Sequence, residues 1–209
     1  MRINVAIVED NPIIREGLTY LINTSPGFQC VGACATAESA LEEIPRIQPD
    51  VVLMDIGLPG MSGIECIRQL KERSPKVQTM MLTVFEDAEK IFQSLAAGAS
   101  GYLIKTTPPA KLLEAIQELH QGGSPMSNQI ARRLVEFFQQ PRSSFSAVNQ
   151  LSDREQEVLS ILAKGFLYRE IAQALGISVD TVRTHIRSIY DKLHVHTRTG
   201  DILKAFPKL

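Results

Sequence analysis

The residues of this chain that are best suited to chemistry stand at the ends of short apolar runs. Glu9 and Asp10 follow residues 3–8, Asp55 follows residues 51–54, and Lys105 follows residues 101–104. Thr83 lies near the end of a further run, residues 77–84. Such runs, when bounded by turn residues, are typical of strands buried on both faces of a parallel sheet. Because parallel strands bring their carboxyl ends to one edge, we expect these side chains to lie together.

This combination of side chains favours phosphoryl transfer. Clustered carboxylates repel one another, so at neutral pH they need a cation or a raised pKa. Ligands that are all oxygen, without His or Cys, point to Mg²⁺. Beside that cation Asp55 is a candidate phosphoryl acceptor, with Lys105 neutralising the phosphoryl oxygens and Thr83 hydrogen-bonding to the attached group. Each acid alone would more simply cap a helix or face solvent, but their recurrence at several strand ends favours the site.

The segments between these runs carry apolar residues at helical spacing. We expect strands over residues 3–8, 29–35, 51–54, 77–84 and 101–104, alternating with helices that include residues 14–21, 38–47, 64–70, 88–97 and 110–120. Five alternations of strand and helix predict an α/β fold with a doubly wound, five-stranded parallel sheet for residues 1–121. Gly57, Pro59 and Gly60 turn the chain directly after Asp55, at the predicted functional edge.

The second half of the chain differs in composition and in pattern. Residues 122–150 are rich in Gly, Ser, Pro and Gln, and we interpret them as a linker hinged at residues 141–149. One amphipathic helix at 128–138 either packs on a neighbouring domain, which is the simpler interpretation, or transmits between domains. Residues 151–209 have helical spacing throughout and predict an all-α domain of four helices, the last at 199–206. A short helix at 168–175, a turn at Gly176 and a long helix at 179–193 form a helix-turn-helix pattern.

The long helix at 179–193 has two chemically distinct faces. Val182, Ile186, Ile189 and Leu193 share the apolar face. A polar face is usually only solvated, but the second helix of a helix-turn-helix enters the major groove of DNA. We therefore expect base or phosphate contacts from Arg183, Thr184 and Arg187, and phosphate contacts from Thr181, Lys192 and Arg169.

Composition limits the remaining classes. The 209 residues are 44% hydrophobic, which is ample for a core and argues against disorder. Residues 1–121 carry fifteen Asp and Glu against ten Lys and Arg, whereas residues 151–209 carry seven Asp and Glu against nine Lys and Arg. This difference in charge suggests that the two segments have different functions. The three cysteines lack metal-ligand spacing and are expected to be reduced thiols. No apolar run is long enough to span a bilayer and the N-terminus resembles a strand, so we expect a cytoplasmic protein without a membrane partner.

The motifs of residues 1–121 form a specific set: Glu9-Asp10, Asp55 followed by Pro59 and Gly63, Thr83, and the segment 101–105. Together they resemble the flavodoxin-like receiver domains of bacterial two-component response regulators. The resemblance implies that Asp55 takes a phosphoryl group from a phosphohistidine on a sensor histidine kinase. It implies that Asp10, Asp55 and the Gly57 carbonyl hold Mg²⁺, with Glu9 acting directly or through water. Thr83 would turn toward the phosphate and Tyr102 would turn inward, although Tyr102 also fits a plain core position.

A second set of motifs lies in residues 151–159, 170–172 and 178–186. It resembles the LuxR-type helix-turn-helix of the NarL/FixJ response regulators and implies binding to double-stranded DNA as a homodimer. Both resemblances imply a phosphorylation-dependent transcription regulator, which is not an enzyme but can phosphorylate itself from small donors with Mg²⁺ and slowly lose the group. The sequence departs from the family at Thr106, where many members have proline, and at Leu167-Tyr168, where small polar residues are usual.

Two other functions are compatible with parts of this pattern. A phosphatase or transferase that uses an aspartyl-phosphate would need a second acid two residues after Asp55, where this chain has Gly57. A transcription factor whose receiver is never phosphorylated, and serves only for dimerisation, is the remaining alternative. The acids and Lys105 argue against it, and a phosphorylation assay separates the two.

Overall fold

The computed structural model of the chain describes residues 2–85, 87–139 and 151–195. The predicted hinge at 141–149 and the predicted closing helix at 199–206 lie outside these residues. The elements, in chain order, are β1 Ile3–Val8, α1 Pro12–Thr24, β2 Phe28–Cys34, α2 Ala37–Ile47, β3 Val51–Met54, α3 Gly63–Arg73, β4 Gln78–Thr83, α4 Ala88–Ala96, β5 Gly101–Ile104, α5 Pro109–His120, α6 Asn128–Gln139, α7 Asp153–Ala163, α8 Tyr168–Leu175 and α9 Val179–Val195.

The strands form one parallel sheet in the order β2-β1-β3-β4-β5. This confirms the predicted doubly wound α/β fold, and the observed strand ends lie within one residue of the predicted ones. The chain leaves β1 toward β2 on one side and reaches β3 on the other, so the direction of winding reverses between β1 and β3. Ligands of such sheets bind beyond the carboxyl ends of the strands at this reversal.

The strands are apolar because both faces of the sheet are covered. All four residues of β3 and of β5 are buried, and Val5, Ile7, Leu53 and Met80 belong to one continuous hydrophobic cluster. Leu112 and Ile116 of α5 and Ile22 of α1 complete that cluster, on one side of the sheet. Burial of the strands fixes their register, because a slip by one residue would move every side chain of a strand to the other face of the sheet. The strand ends, and the residues that follow them, therefore have defined positions.

The outer edge of β5 is occupied by the segment that follows α5. The backbone N–H of Tyr102 donates to the carbonyl of Pro125 at 3.0 Å. Pro125 also lies so close to Gly101 that a Cβ at Gly101 would come within 3.0 Å of the proline ring. The pairing satisfies a backbone donor on a strand that would otherwise be an open edge.

The described residues divide into two compact units. One unit comprises residues 2–85 and 97–125, and the other comprises residues 87–96, 126–139 and 151–195. Helix α4 therefore groups with α6 to α9, although it lies within the segment 1–121, and it packs against α6 and α9 in that second unit. None of the described helices combines the length and the apolar character needed to cross a bilayer.

Candidate functional site

Lys105 joins two buried acids at the carboxyl edge of the sheet. Its Nζ lies 2.6 Å from Oε2 of Glu9 and 3.1 Å from Oδ2 of Asp55. The side chain of Glu9 is only 2% exposed and that of Asp55 only 6%. The backbone positions these groups, since the N–H of Asp55 donates to the Val8 carbonyl and the N–H of Lys105 donates to the Thr83 carbonyl. The sheet thus brings together residues that are far apart in the chain.

Burial and the Lys105 ion pairs act in opposite directions on the groups of this pocket. Burial raises the pKa of Glu9, even though the hydrogen bond and the positive charge of Lys105 act in the opposite direction. Burial alone would lower the pKa of Lys105, but the hydrogen bonds to Glu9 and Asp55 outweigh it and raise that pKa. One ammonium group does not fully compensate the buried carboxylates, so the pocket favours a further positive charge.

The acids also have the arrangement that a cation site needs. Glu9, Asp10 and Asp55 each offer a carboxylate oxygen, and the three oxygens lie within 4.8 Å of one another. Glu9 and Asp55 are buried, whereas Asp10 is exposed at the rim. Oxygen donors of this charge and spacing suit a small hard cation such as Mg²⁺. The donor set therefore fits the metal that the sequence predicts.

Neighbouring backbone groups restrict both the carboxylate and the carbonyl of Asp55. Its Oδ1 accepts the N–H of Ile56 at 2.8 Å, which leaves Oδ2 toward Lys105. The chain then turns so sharply that Gly63, the first residue of α3, lies against the Asp55 carbonyl, and its N–H donates to the Ile56 carbonyl at 3.1 Å. A Cβ at Gly63 would lie 1.8 Å from that Asp55 oxygen, so only glycine fits there.

Thr83 and Tyr102 meet through the backbone of Phe85. Thr83 is fully buried, and its Oγ1 accepts the N–H of Phe85 at 3.4 Å. Tyr102 is also fully buried, and its hydroxyl donates to the Phe85 carbonyl at 2.9 Å. Tyr102 therefore points inward, yet it has a specific polar partner rather than only apolar neighbours. Tyr102 thus occupies a buried core position and also binds the segment after Thr83, and its role in the phosphate switch stays a prediction.

The ring of Phe85 lies beside Gly57, close to the Asp55 carboxylate. A Cβ at Gly57 would be 3.2 Å from the Phe85 ring and 3.5 Å from Oδ2 of Asp55. Phe85 is half-buried, and its ring forms part of the wall around Oδ2 of Asp55. Phe85 is not among the residues predicted from the sequence, although its position two residues after Thr83 indicates that it lies near the same edge of the sheet. The peptide bond between Lys105 and Thr106 is trans, as are all those of the described residues.

The second unit contains the predicted helix-turn-helix. Helix α7 begins with a capping box, in which Ser152 accepts the N–H of Glu155 and Glu155 accepts the N–H of Ser152. Gly176 ends α8 with a φ of 63°, a left-handed conformation that glycine adopts without strain. Ser178 Oγ accepts the N–H of Thr181 at 3.0 Å and so caps α9. Val182, Ile186 and Ile189 are buried, which confirms the apolar face.

Comparison with known families covers both units. Residues 5–117 match the response regulator receiver domain, and residues 149–205 match the luxR family of bacterial regulatory proteins. Response regulator protein VraR of Staphylococcus aureus is 31% identical over 206 residues, spanning 99% of this chain and 97% of VraR. The chain belongs to the LuxR family of response regulators. It is a DNA-binding transcription regulator of a two-component system, in which a receiver domain and a LuxR-type DNA-binding domain are joined in one chain.

Solved structures of related regulators agree with this assignment. The response regulator RcsB of Salmonella typhimurium has a TM-score of 0.61 at 26% identity, over 92% of each chain. An RcsB–DNA complex has a TM-score of 0.62 at 25% identity, over 93% of each chain. A LuxR-family regulator from Aurantimonas sp. SI85-9A1 reaches a TM-score of 0.64 at 33% identity, over 67% of this chain and all of the other.

The polar face of α9 in this response regulator is open to solvent. Arg183, Thr184 and Arg187 are exposed, Thr181 is half-buried, and Arg169 of α8 is exposed. Arg183 forms an ion pair with Asp180 at 3.0 Å, and the Thr184 hydroxyl donates to the Asp180 carbonyl at 2.9 Å. An exposed ion pair of this kind is worth little, so Arg183 can exchange Asp180 for a nucleic-acid acceptor.

Lys192 differs from Arg183 because its ion-pair partner lies on another helix, α7. Its Nζ lies 2.5 Å from Oε2 of Glu155, and Ser188 donates to Oε1 of the same carboxylate at 2.6 Å. Burial disfavours the charge on Glu155, but the hydrogen bonds from Lys192, Ser188 and Ser152 outweigh it and lower its pKa to about 2. These hydrogen bonds connect α7 to α9, so Lys192 has a structural role that the sequence did not predict.

The start of α8 lacks a capping side chain, as the residue types at Leu167-Tyr168 predict. Leu167 occupies the N-cap position without a side-chain hydrogen bond, and it is 59% exposed. Glu170 compensates in part, because its carboxylate accepts the N–H of Leu167 at 2.7 Å. An apolar residue at this position offers no hydrogen bond to a DNA phosphate.

Proposed function

We propose that Asp55 accepts a phosphoryl group from a phosphohistidine of a sensor histidine kinase, and that this controls DNA binding through α9. The observation that carries the proposal is the buried Asp55 carboxylate, held between Lys105 and the backbone at the edge where the sheet reverses. Oδ2 of Asp55 would attack the phosphorus as the bond to the nitrogen of the protonated phosphohistidine ring breaks, which leaves an acyl phosphate on Asp55 and a neutral imidazole on the kinase.

The neighbouring residues have separate tasks in this transfer. Lys105 Nζ, already 3.1 Å from Oδ2, neutralises the charge gained by the carboxylate. Thr83 turns its hydroxyl from the Phe85 N–H to a phosphoryl oxygen. Glu9, Asp10, Asp55 and the Gly57 carbonyl would hold Mg²⁺, which supplies further charge neutralisation when bound. Phosphorylation from small donors and slow loss of the group belong to the same proposal.

In this proposal, Phe85 links phosphorylation in the pocket to a change outside it. If Thr83 releases the Phe85 N–H, the Phe85 backbone can shift while its carbonyl still accepts from the Tyr102 hydroxyl. Helix α4 begins shortly afterwards at Ala88, and within the second unit it packs against α9. Phosphate would thus bias the position of α4, and with it the availability of α9 for DNA or for homodimer formation. We keep residues 1–121, 122–150 and 151–209 as the proposed receiver, linker and DNA-binding domains.

The proposal is tested by treating the purified full-length protein with acetyl phosphate. With Mg²⁺ we expect intact-mass spectrometry to show the addition of one phosphoryl group, and a titration with genomic DNA fragments to show tighter binding. With EDTA in place of Mg²⁺ neither change should occur. If the protein takes up no phosphoryl group from acetyl phosphate or from any histidine kinase, and binds its DNA sites all the same, the phosphorylation-independent alternative is correct.

In the DNA-binding domain, α9 would enter the major groove. Arg183, Thr184 and Arg187 would contact bases or phosphates, and Thr181 and Arg169 would contact phosphates. We leave Lys192 as a secondary candidate, since Glu155 already binds its ammonium group.

Replacing Arg187 with alanine is expected to weaken DNA binding by about 1–3 kcal/mol if the guanidinium meets a base edge, with relaxed preference at that base pair. If it meets a phosphate, binding should weaken on all sequences and the salt slope should fall by about one. Fluorescence anisotropy at several salt concentrations separates these outcomes. Asp191→Asn on the same helix is the control, and an Arg187→Ala protein indistinguishable from wild type in both measurements would remove Arg187 from the interface.

A further inference from the structure

Arg15 contacts the backbone of both acids at the end of β1. One of its terminal nitrogens, Nη1, lies 2.7 Å from the carbonyl oxygen of Glu9 and 3.0 Å from that of Asp10. The sheet ends at Val8, so these carbonyls lie where strand pairing no longer fixes the chain. The single guanidinium therefore holds the short segment that carries two of the three clustered carboxylates.

The position of Arg15 is unfavourable for the helix to which it belongs. It lies near the start of α1, whose first turn contains no acidic residue and is capped by the Asn11 side chain. The N-terminal end of a helix carries a partial positive charge, so a cation there opposes the helix dipole. The contacts with Glu9 and Asp10 supply a compensating interaction that the helix alone does not.

Arg15 completes a set of restraints around Glu9. The N–H of Glu9 donates to the Cys34 carbonyl at 3.0 Å, and its carboxylate accepts from Asn11 at 3.3 Å and from Lys105 at 2.6 Å. Asp10 lies exposed at the rim, and the Arg15 guanidinium holds its carbonyl. Without Arg15 the Asp10 backbone would be free to turn, and its carboxylate would spend less time beside Glu9 and Asp55.

We propose that Arg15 is a positioning residue for the cation site, and that it sets the affinity of the receiver for Mg²⁺ by pre-organising Glu9 and Asp10. The inference rests on the proposed function, because it assumes that these acids and Asp55 bind the cation. Arg15 acts through backbone carbonyls of the ligand residues and does not itself bind the metal. Outer partners of metal ligands typically change metal affinity by about 10–100-fold when they are removed.

The sign of the effect separates this role from simple electrostatics. A guanidinium near a cation site repels the cation, so if charge alone mattered, removing Arg15 would tighten Mg²⁺ binding. Pre-organisation predicts the opposite, because the unfixed acids must be ordered when the metal binds. For Arg15→Met we expect a dissociation constant about tenfold higher than that of wild type. Arg15→Lys keeps a donor and should recover most of the affinity.

The experiment measures binding directly in the full-length protein, with Mn²⁺ as the probe and Mg²⁺ as the competitor. The electron paramagnetic resonance signal of free Mn²⁺ gives the dissociation constant without any phosphorylation step. Arg46→Met is the matched control: it removes the same charge from the last turn of α2, at the opposite edge of the sheet, and should bind like wild type. Thermal unfolding of each variant identifies any general loss of structure.

A dissociation constant for Arg15→Met equal to or lower than that of wild type would overturn the proposal, and so would an Arg15→Lys protein as weak as Arg15→Met. A lower unfolding temperature with unchanged affinity would assign Arg15 to fold stability alone, which also overturns it. Failure of the proposed function gives a different result. In that case Mg²⁺ would displace Mn²⁺ poorly even from the wild-type protein, and the wild-type protein would take up no phosphoryl group.

Discussion

An Asp55→Asn protein is expected to take up no phosphoryl group, and its affinity for DNA should not respond to acetyl phosphate. An amide oxygen is a poor nucleophile and cannot form an acyl phosphate, so the loss should be complete rather than partial. Glu9 is buried beside Lys105 in the same pocket, but it follows β1 rather than β3 and should not substitute as the acceptor.

The same variant should keep its fold when no metal is present. Asparagine has one acceptor oxygen, so it loses either the Ile56 N–H or the Lys105 ammonium as a partner. Against this loss it removes a buried charge that lies within reach of two other carboxylates, those of Glu9 and Asp10. Removing it relieves repulsion between like charges, and Glu9 still pairs with the Lys105 ammonium. We therefore expect a metal-free unfolding temperature no lower than that of wild type.

Asp50→Asn provides the matched control for this prediction. Asp50 lies just before the opposite end of β3, where its Oδ2 accepts the N–H of Asn4 at 2.8 Å. Asparagine can retain that hydrogen bond, and the change in net charge is the same. Intact-mass spectrometry and DNA titration should give the wild-type response for Asp50→Asn and none for Asp55→Asn. Continued phosphoryl uptake by folded Asp55→Asn would place the acceptor on another residue.

The acidic pocket could be predicted from sequence because parallel strands have few alternatives. A side chain directly after a buried strand lies at the carboxyl edge once the sheet is parallel, and Glu9, Asp55 and Lys105 meet there as predicted. Thr83 ends β4 at the same edge. Side-chain period and turn residues set the strand ends to within one or two residues. The predicted helix at 168–175 coincides with α8, because Gly176 leaves no other place for the helix to end.

Contacts that depend on three-dimensional closure were not predictable in this way. Arg15 reaches back to carbonyls five and six residues earlier, and no periodicity signals such a contact. Lys192 looked like a phosphate contact because a lysine on a polar helix face usually faces solvent, yet Glu155 reaches it from another helix. Phe85 enters the pocket wall through a turn whose course depends on Tyr102. In each case the partner is distant in sequence, or is a backbone atom without a residue type.

The close approach of Gly63 to Asp55 allows a second prediction with a large expected effect. Gly63 begins α3 directly against the end of β3, and a Cβ there would lie 1.8 Å from the Asp55 carbonyl oxygen and 3.0 Å from Cγ of Met54. The first of these atoms belongs to the backbone directly after the central strand β3 and cannot rotate away. An added methyl group must therefore push α3 outward or displace Asp55, and both movements break contacts of buried residues.

For Gly63→Ala we expect a loss of about 3 kcal/mol in the free energy of unfolding, at the upper end of the range for overpacked sites. Because Asp55 shifts with its carbonyl, phosphorylation by acetyl phosphate should slow by on the order of 10²-fold in the protein that remains folded.

Gly17→Ala is the control for the glycine change itself. Gly17 lies within α1, where an added Cβ would meet no atom within 4 Å, so alanine should stabilise the helix by about 0.5–1 kcal/mol. Urea titrations of the full-length proteins give both changes on one scale. If Gly63→Ala unfolded at the same urea concentration as wild type and accepted phosphoryl groups at the same rate, the tight turn after β3 would not be what positions Asp55. Opposite signs for the two glycine replacements would instead show that the shape of this turn, rather than glycine flexibility in general, fixes the acceptor.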